Sequence, residues 1–251
     1  MNIVGTELLV CGCLLGAVLV GVRLRRLLPD HHLSSDSRDA VKLAMGLVAT
    51  MTALVLGLLI SSAKSSFDTE RNEVVQMAAK IVFLDRILAL YGPDASGVRA
   101  LFHEALAESV HRMWPDDARA PIRPGTDQRT GNAIYEAIQN LSPHDETQRS
   151  LKIQATDLAI ELGQLQALLA AQSVSSISKP LLAMMLCWLV VIFLGFSLLA
   201  PPNATTTVAL VASVLSVTGA VFLILQLDQP MTGLIRISSQ PIVNALNQFS
   251  K

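Results

Sequence analysis

The apolar residues of this chain fall in blocks rather than in alternation. Residues 3–22 are apolar with Glu7 as the only charge. That run of ~20 residues is long enough for a helix to cross the hydrocarbon of a bilayer. A second block, 41–62, carries no charge between Lys42 and Lys64, and a third, 181–200, carries none at all. Pro201-Pro202-Asn203 stops the third, because consecutive prolines remove donors and clash with the preceding turn. The fourth covers 207–227 and ends at Asp228-Gln229-Pro230. So short a connection makes the third and fourth spans a tight antiparallel hairpin. Four spans put both termini on one side of the membrane, the side that also receives the residues between spans two and three.

Those intervening residues, 63–180, have ordinary polarity and no strand-like alternation. Val74, Met77, Ala78, Ile81, Leu84 and Leu88 recur at spacings of three and four, which predicts a helix over 63–90. No breaker separates it from the second span, so the two form one long rod. Tyr91-Gly92-Pro93-Asp94 ends that rod. A second helix covers 96–113 up to Trp114-Pro115, and Pro115, Pro121 and Pro124 make 115–125 a loop. A short third helix covers 127–140. The fourth opens at Ser142-Pro143, a cap residue before a proline at the first helical position, with Asp145 and Glu146 complementing the positive helix end. Leu151, Leu158, Leu162, Leu165 and Leu169 then form a narrow seam suited to a bundle, and the helix is expected to reach Ser178 with Pro180 at the join to span three. The pattern predicts an all-α membrane protein, four transmembrane helices with a helical-bundle extramembrane domain between the second and third spans. Its parts are 1–62 (two spans and a short Arg-rich loop), 63–180 (the bundle), 181–227 (the hairpin) and 228–251. The last is a membrane-surface tail whose proline and glycine make a turn and not a fifth span.

Composition agrees. Hydrophobic residues are 51% of the chain, charged residues 16%, and the mean hydropathy is +0.49. A soluble domain carries about a quarter of its residues charged. Lys plus Arg is 19 against 20 for Asp plus Glu, so no basic footprint for nucleic acid exists. Aromatic residues, at 4%, are too few for a stacking platform. Cys11, Cys13 and Cys187 all lie in apolar blocks, which excludes a disulfide framework and predicts inert thiols. The first block lacks a basic stretch before it, and Arg23, Arg25 and Arg26 follow it instead. That order predicts a retained helix, not a secretory signal, and weakens the faint lipoprotein-like Val10-Cys11-Gly12-Cys13. For sidedness, Arg23, Arg25, Arg26 and Arg38 in the short loop balance Lys64, Arg71, Lys179 and Arg236 at the opposite span ends. The denser arginines of the short loop favour placing that loop in the cytoplasm.

Candidate chemistry concentrates in span two. Gly46, Thr50, Ala53, Gly57, Ser61 and Ser65 succeed one another at spacings of four, three, four, four and four, a single stripe of small and weakly polar side chains. Such a stripe suits close helix packing in lipid. It also suits a pore wall, where several copies turn it towards a shared axis and hydroxyls meet water. Lys64, Ser66 and Asp68 stand at its mouth. Lys64 is either an interfacial anchor or, in a ring of subunits, a ring of cations whose field Asp68 and Glu70 offset. Glu7 reads as an interfacial carboxylate. Asp85, Arg86, Arg99 and Glu104 read as ion pairs within or between helices. Glu104, Glu108 and His111 share a helix face beside His103, but no further ligand is specified, and this face and His31-His32 read as solvated. With no G-x-S-x-G, P-loop or H-E-x-x-H, and no base beside a cysteine, neither an enzyme, a cofactor nor a metal is expected.

Several stretches carry a resemblance. They are Ala53-Leu54-Val55-Leu56-Gly57-Leu58-Leu59, Ala63-Lys64-Ser65-Ser66-Phe67-Asp68, Leu84-Asp85-Arg86, Tyr91-Gly92-Pro93-Asp94 and Asn203-Ala204-Thr205. A longer one is Leu227-Asp228-Gln229-Pro230-Met231-Thr232-Gly233-Leu234-Ile235-Arg236-Ile237-Ser238, where Met231 stands in place of an expected phenylalanine. Together they resemble the bestrophin-like family of bacterial multi-pass membrane proteins. The resemblance implies a homo-oligomeric, pentameric ion channel of the bacterial inner membrane, with the second span lining the pore and inorganic ions as its cargo. It also implies termini and bundle in the cytoplasm, opposite to the arginine argument. The other reading left open is a non-conducting membrane scaffold or sensor acting through its helical domain.

Overall fold

The structure, a computed structural model, describes residues 3–27, 35–114, 128–172, 179–201, 203–228, 230 and 235–248. Among them there are eight α-helices and no strand: α1 (Ile3–Leu27), α2 (Ser35–Tyr91), α3 (Ser96–Met113), α4 (Gln128–Gln139), α5 (Glu146–Gln172), α6 (Lys179–Leu199), α7 (Ala204–Leu227) and α8 (Gln240–Gln248). Four of them, α1, α2, α6 and α7, are long and apolar enough to cross a membrane. At 57 residues α2 far exceeds the ~20 that a bilayer requires. It is the unbroken rod expected from the absence of a breaker, and it contributes to both compact units of the chain.

The first unit comprises 1–66 and 176–228. Its core joins Val10, Leu14, Ala17 and Val18 of α1 to Leu59 and Ala63 of α2, Met185, Leu189 and Phe193 of α6, and Val214, Val221 and Ile224 of α7. Lipid tails are as apolar as these side chains, so shape complementarity and close approach hold the helices together. Gly21 shows how close. A Cβ built there would stand 1.9 Å from Ser197 Oγ and 2.7 Å from the Leu194 carbonyl oxygen of α6. At Gly195 the obstacle is only the flexible end of Met45, whose Sδ would lie 2.5 Å away. Gly21→Ala is therefore expected to destabilise the detergent-solubilised protein by about 1–3 kcal/mol, the cost of overpacking, and Gly195→Ala by clearly less. Thermal melting of the two variants side by side measures the difference. Several hydroxyls inside the spans are accommodated by their own helix: Thr52 Oγ1 donates to the Val48 carbonyl (2.7 Å), and Ser213 and Ser216 donate to carbonyls one turn back. Between α6 and α7 the Asn203 side chain caps α7 by accepting from the Thr206 backbone N–H (2.8 Å).

The second unit comprises 67–175 and 229–251. Here α2 and α5 run antiparallel, linked at Glu73–Gln172, Lys80–Glu161 and the Tyr91 carbonyl with Gln148. Val74, Met77, Ile81, Leu84 and Leu88, expected to line the inner face of α2, are all buried. Gly92 follows the last residue of α2 at φ 108°, a backbone conformation that side chains avoid, and Pro93 opens a short 3₁₀ turn to Ala95. In the seam of α5 the buried members are Leu162 and Leu169. This helix starts at Glu146, later than Ser142-Pro143 suggested. Asp145 Oδ1 accepts from the Gln148 backbone N–H (2.7 Å) while Gln148 Oε1 accepts from His144 N–H (2.7 Å), so a reciprocal cap three residues downstream sets the start. The expected extension of this helix to Ser178 falls on 173–178, outside the described residues, as do His31-His32 and the proline loop 115–125. The tail holds a helix that the sequence reading missed. α8 buries Ile242 and Ala245 and packs on α3, and Trp114 Nε1 donates to the Ile237 carbonyl (2.9 Å).

Candidate functional site

All six stripe residues, Gly46, Thr50, Ala53, Gly57, Ser61 and Ser65, lie on α2 and are exposed from their own chain. At about 100° of rotation per residue, the buried Met45, Thr52, Leu59 and Ala63 sit roughly 150° round the helix from them. A band of exposed leucines, Leu43, Leu47, Leu54 and Leu58, flanks the stripe. Of the four span helices α2 is the least covered, with 17% of its most apolar stretch buried against 33% in α6. A Cβ added at Gly46 or Gly57 would meet nothing within 4 Å, so neither glycine serves a close approach inside this chain. Thr50 donates its hydroxyl proton to the Gly46 carbonyl (2.9 Å), which leaves its oxygen as an acceptor on the surface. At the mouth Lys64 is exposed, Ser66 and Asp68 are half-buried, and Lys64 and Asp68 continue the line of the stripe one turn apart.

A second cluster lies in the other unit, where α3 meets α2. Asp85, 7% exposed, accepts from Arg99 Nε (2.8 Å) and Nη2 (2.9 Å), and His103 Nε2 stands 2.8 Å from the same Oδ1. Burial alone would raise the Asp85 carboxyl. The hydrogen bonds from Arg99 and His103 and their charges outweigh it and hold the group below the ordinary carboxylate range. The Arg99 guanidinium is pushed up chiefly by its bond to Asp85. The i, i+4 spacing of Arg99 and His103 on one helix face was the available signal, and only the Asp85–Arg99 half of it was suggested by charge alone. Glu108 lies 3.9 Å from Arg112 on its own helix, and among the described residues no group of three His, Cys, Asp or Glu could hold a metal ion.

These spans and their bundle define a helical membrane protein of four transmembrane segments with a helical extramembrane unit between the second and third. The family model of the bestrophin-like domain matches residues 12–242, and the chain belongs to the bestrophin-like family. In fold it is similar to crystal structures of two point variants of a bacterial bestrophin homologue from Klebsiella pneumoniae. One has a TM-score of 0.66 at 16% identity and covers 100% of both chains. The other has a TM-score of 0.68 at 13% identity and covers 100% of this chain and 99% of that one. A further crystal structure, described only as a membrane protein, has a TM-score of 0.68 at 14% identity over 96% of this chain and 99% of its own. Among curated proteins none matches the chain in sequence.

Proposed function

We propose that the protein is a passive ion channel of the bacterial inner membrane, a homo-oligomeric ring in which the stripe of α2 faces the central axis. The observation that carries this reading is the exposure of six small or hydroxyl-bearing residues along one line of an otherwise apolar rod. Glycine in a helix interior costs about 1 kcal/mol relative to alanine. Gly46 and Gly57 recover nothing from their own chain, so what they accommodate lies outside it. Lipid gives no reason for such a line, whereas the adjacent leucine band is well suited to lipid or to a neighbouring copy. A ring of copies gives the reason: undersized side chains keep a lumen open, and outward-facing oxygens solvate ions passing through it. Lys64 and Asp68 would place both signs of charge at the mouth. The subunit number that fits the family is five, with the termini and the bundle on the cytoplasmic side.

Flux of inorganic ions from liposomes holding the purified protein tests the proposal. The expected result is ion release dependent on the protein, from particles that appear as rings with a water-filled axis in projection down the membrane normal. A purified ring that conducts nothing would leave the scaffold reading in possession. A monomer or dimer with α2 packed shut would do the same.

A further inference from the structure

Two helices of the extramembrane unit keep an apolar line outside a core they have already built. The inner face of α2 buries Val74, Ile81 and Leu88, and that of α5 buries Ala155, Leu162 and Leu169. On the far side of α2, Val75, Phe83 and Leu90 are exposed by 49%, 53% and 66%. On the far side of α5, Ile153, Ile160 and Leu168 are exposed as well. Arg86 and Asp157 lie on the same two lines, both exposed, and among the described residues neither is in an ion pair. The contact of α2 with α5 inside the chain uses other residues, Glu73 with Gln172 and Lys80 with Glu161. Apolar lines of this length on a polar unit mark a surface that binds a partner.

We propose that the partner is a second copy of this chain, the α2 line of one copy docking antiparallel on the α5 line of the next. The spacing and the charges carry the proposal. Forward along α2, from Val75 through Phe83 and Arg86 to Leu90, the steps are eight, three and four residues. Backward along α5, from Leu168 through Ile160 and Asp157 to Ile153, they are again eight, three and four. One register therefore sets Val75 against Leu168, Phe83 against Ile160, Arg86 against Asp157 and Leu90 against Ile153. The charge on each line meets its opposite, and every other position is apolar against apolar. A slip of one turn would set Arg86 against an isoleucine, so the charged pair also fixes the register. Because the two lines are different surfaces, the contact is heterologous and passes from copy to copy until it closes. The inference rests on the homo-oligomeric part of the function proposed above and is independent of conduction.

Cysteines at the charged pair test the contact in the detergent-solubilised full chain. Both positions are exposed, so neither substitution disturbs the core of the unit. Chains carrying Arg86→Cys and chains carrying Asp157→Cys are co-expressed and treated with a short, charged bis-maleimide, with the wild type as background for the native thiols. A linked dimer is expected from the co-expressed chains and from neither chain alone. A chain with both substitutions is expected to give a ladder that reaches the whole assembly. Three results overturn the proposal: an assembly of full size without the linked dimer, R86C chains that link to one another as strongly as to D157C chains, or a ladder that stops at the dimer. A monomer would overturn it together with the ring. A linked ring without ion flux would support this contact and remove the channel reading alone.

Discussion

Gly57→Leu is expected to reduce ion flux from reconstituted liposomes to the level of protein-free vesicles while leaving the size of the assembly unchanged. Nothing lies within 4 Å of a Cβ at this position, and Gly57 stands on an exposed face of α2, so the new side chain starts into open space. Leucine is also the better helix former by about 1 kcal/mol, so the protomer should melt no lower. In a ring, however, every copy would add its side chain at the same height of the lumen. A collar of apolar groups there narrows the passage and expels water, and a dewetted constriction does not conduct. A stripe used for packing predicts the reverse, because the added bulk would separate helices and reduce the assembly. Flux and size-exclusion elution of one preparation separate the two outcomes. Leu54→Ala, on the neighbouring leucine band, is the control and should retain flux.

The second large effect belongs to the other unit. Asp85→Ala removes the shared acceptor of Arg99 and His103 and leaves a guanidinium partly buried without its counter-charge. Breaking a buried pair costs about 3–5 kcal/mol, and the 32% exposure of the Arg99 side chain puts this one at the low end, near ~3 kcal/mol. A chain of this size loses roughly 2–4 °C of melting temperature per kcal/mol, so a fall of about 6–12 °C is expected. The dependence on pH has a definite sign. Asp85 is held below the ordinary carboxylate range, so its contribution is complete above that range and disappears as pH falls through the depressed value. The melting curves of wild type and Asp85→Ala should therefore converge in acid. Curves that stay parallel would show that the charge on Asp85 is not what α3 depends on.

Much of this architecture is legible in the chain because a bilayer admits few solutions. A charge-free run such as 181–200 has one reading in lipid, and it appears as α6 almost residue for residue. The limits of α3 were equally plain, since Ser96 follows a turn and Trp114-Pro115 closes the helix. Other elements depend on partners distant in sequence. The nine residues of α8 are too few to announce themselves, and their burial rests on α3 and on the Trp114–Ile237 bond across the unit. The start of α5 lies three residues beyond the one that Ser142-Pro143 suggests, because the reciprocal bonds of Asp145 and Gln148 set it there. The stripe on α2 was visible as spacing, but its exposure required knowing which face α1, α6 and α7 cover. Glu73 carried no signal at all, because its partner lies on another helix at the far end of the bundle sequence.

The three cysteines of the chain belong to α1 and α6, within the lipid-crossing part, and none to the polar bundle. Towards a charged, membrane-impermeant maleimide the natural protein is consequently a silent background. A single reporter thiol, for instance at the exposed position of Ala167 on α5, becomes its one aqueous target. Labelling it in intact cells and again after lysis would read out which compartment the bundle occupies, without removing any native residue.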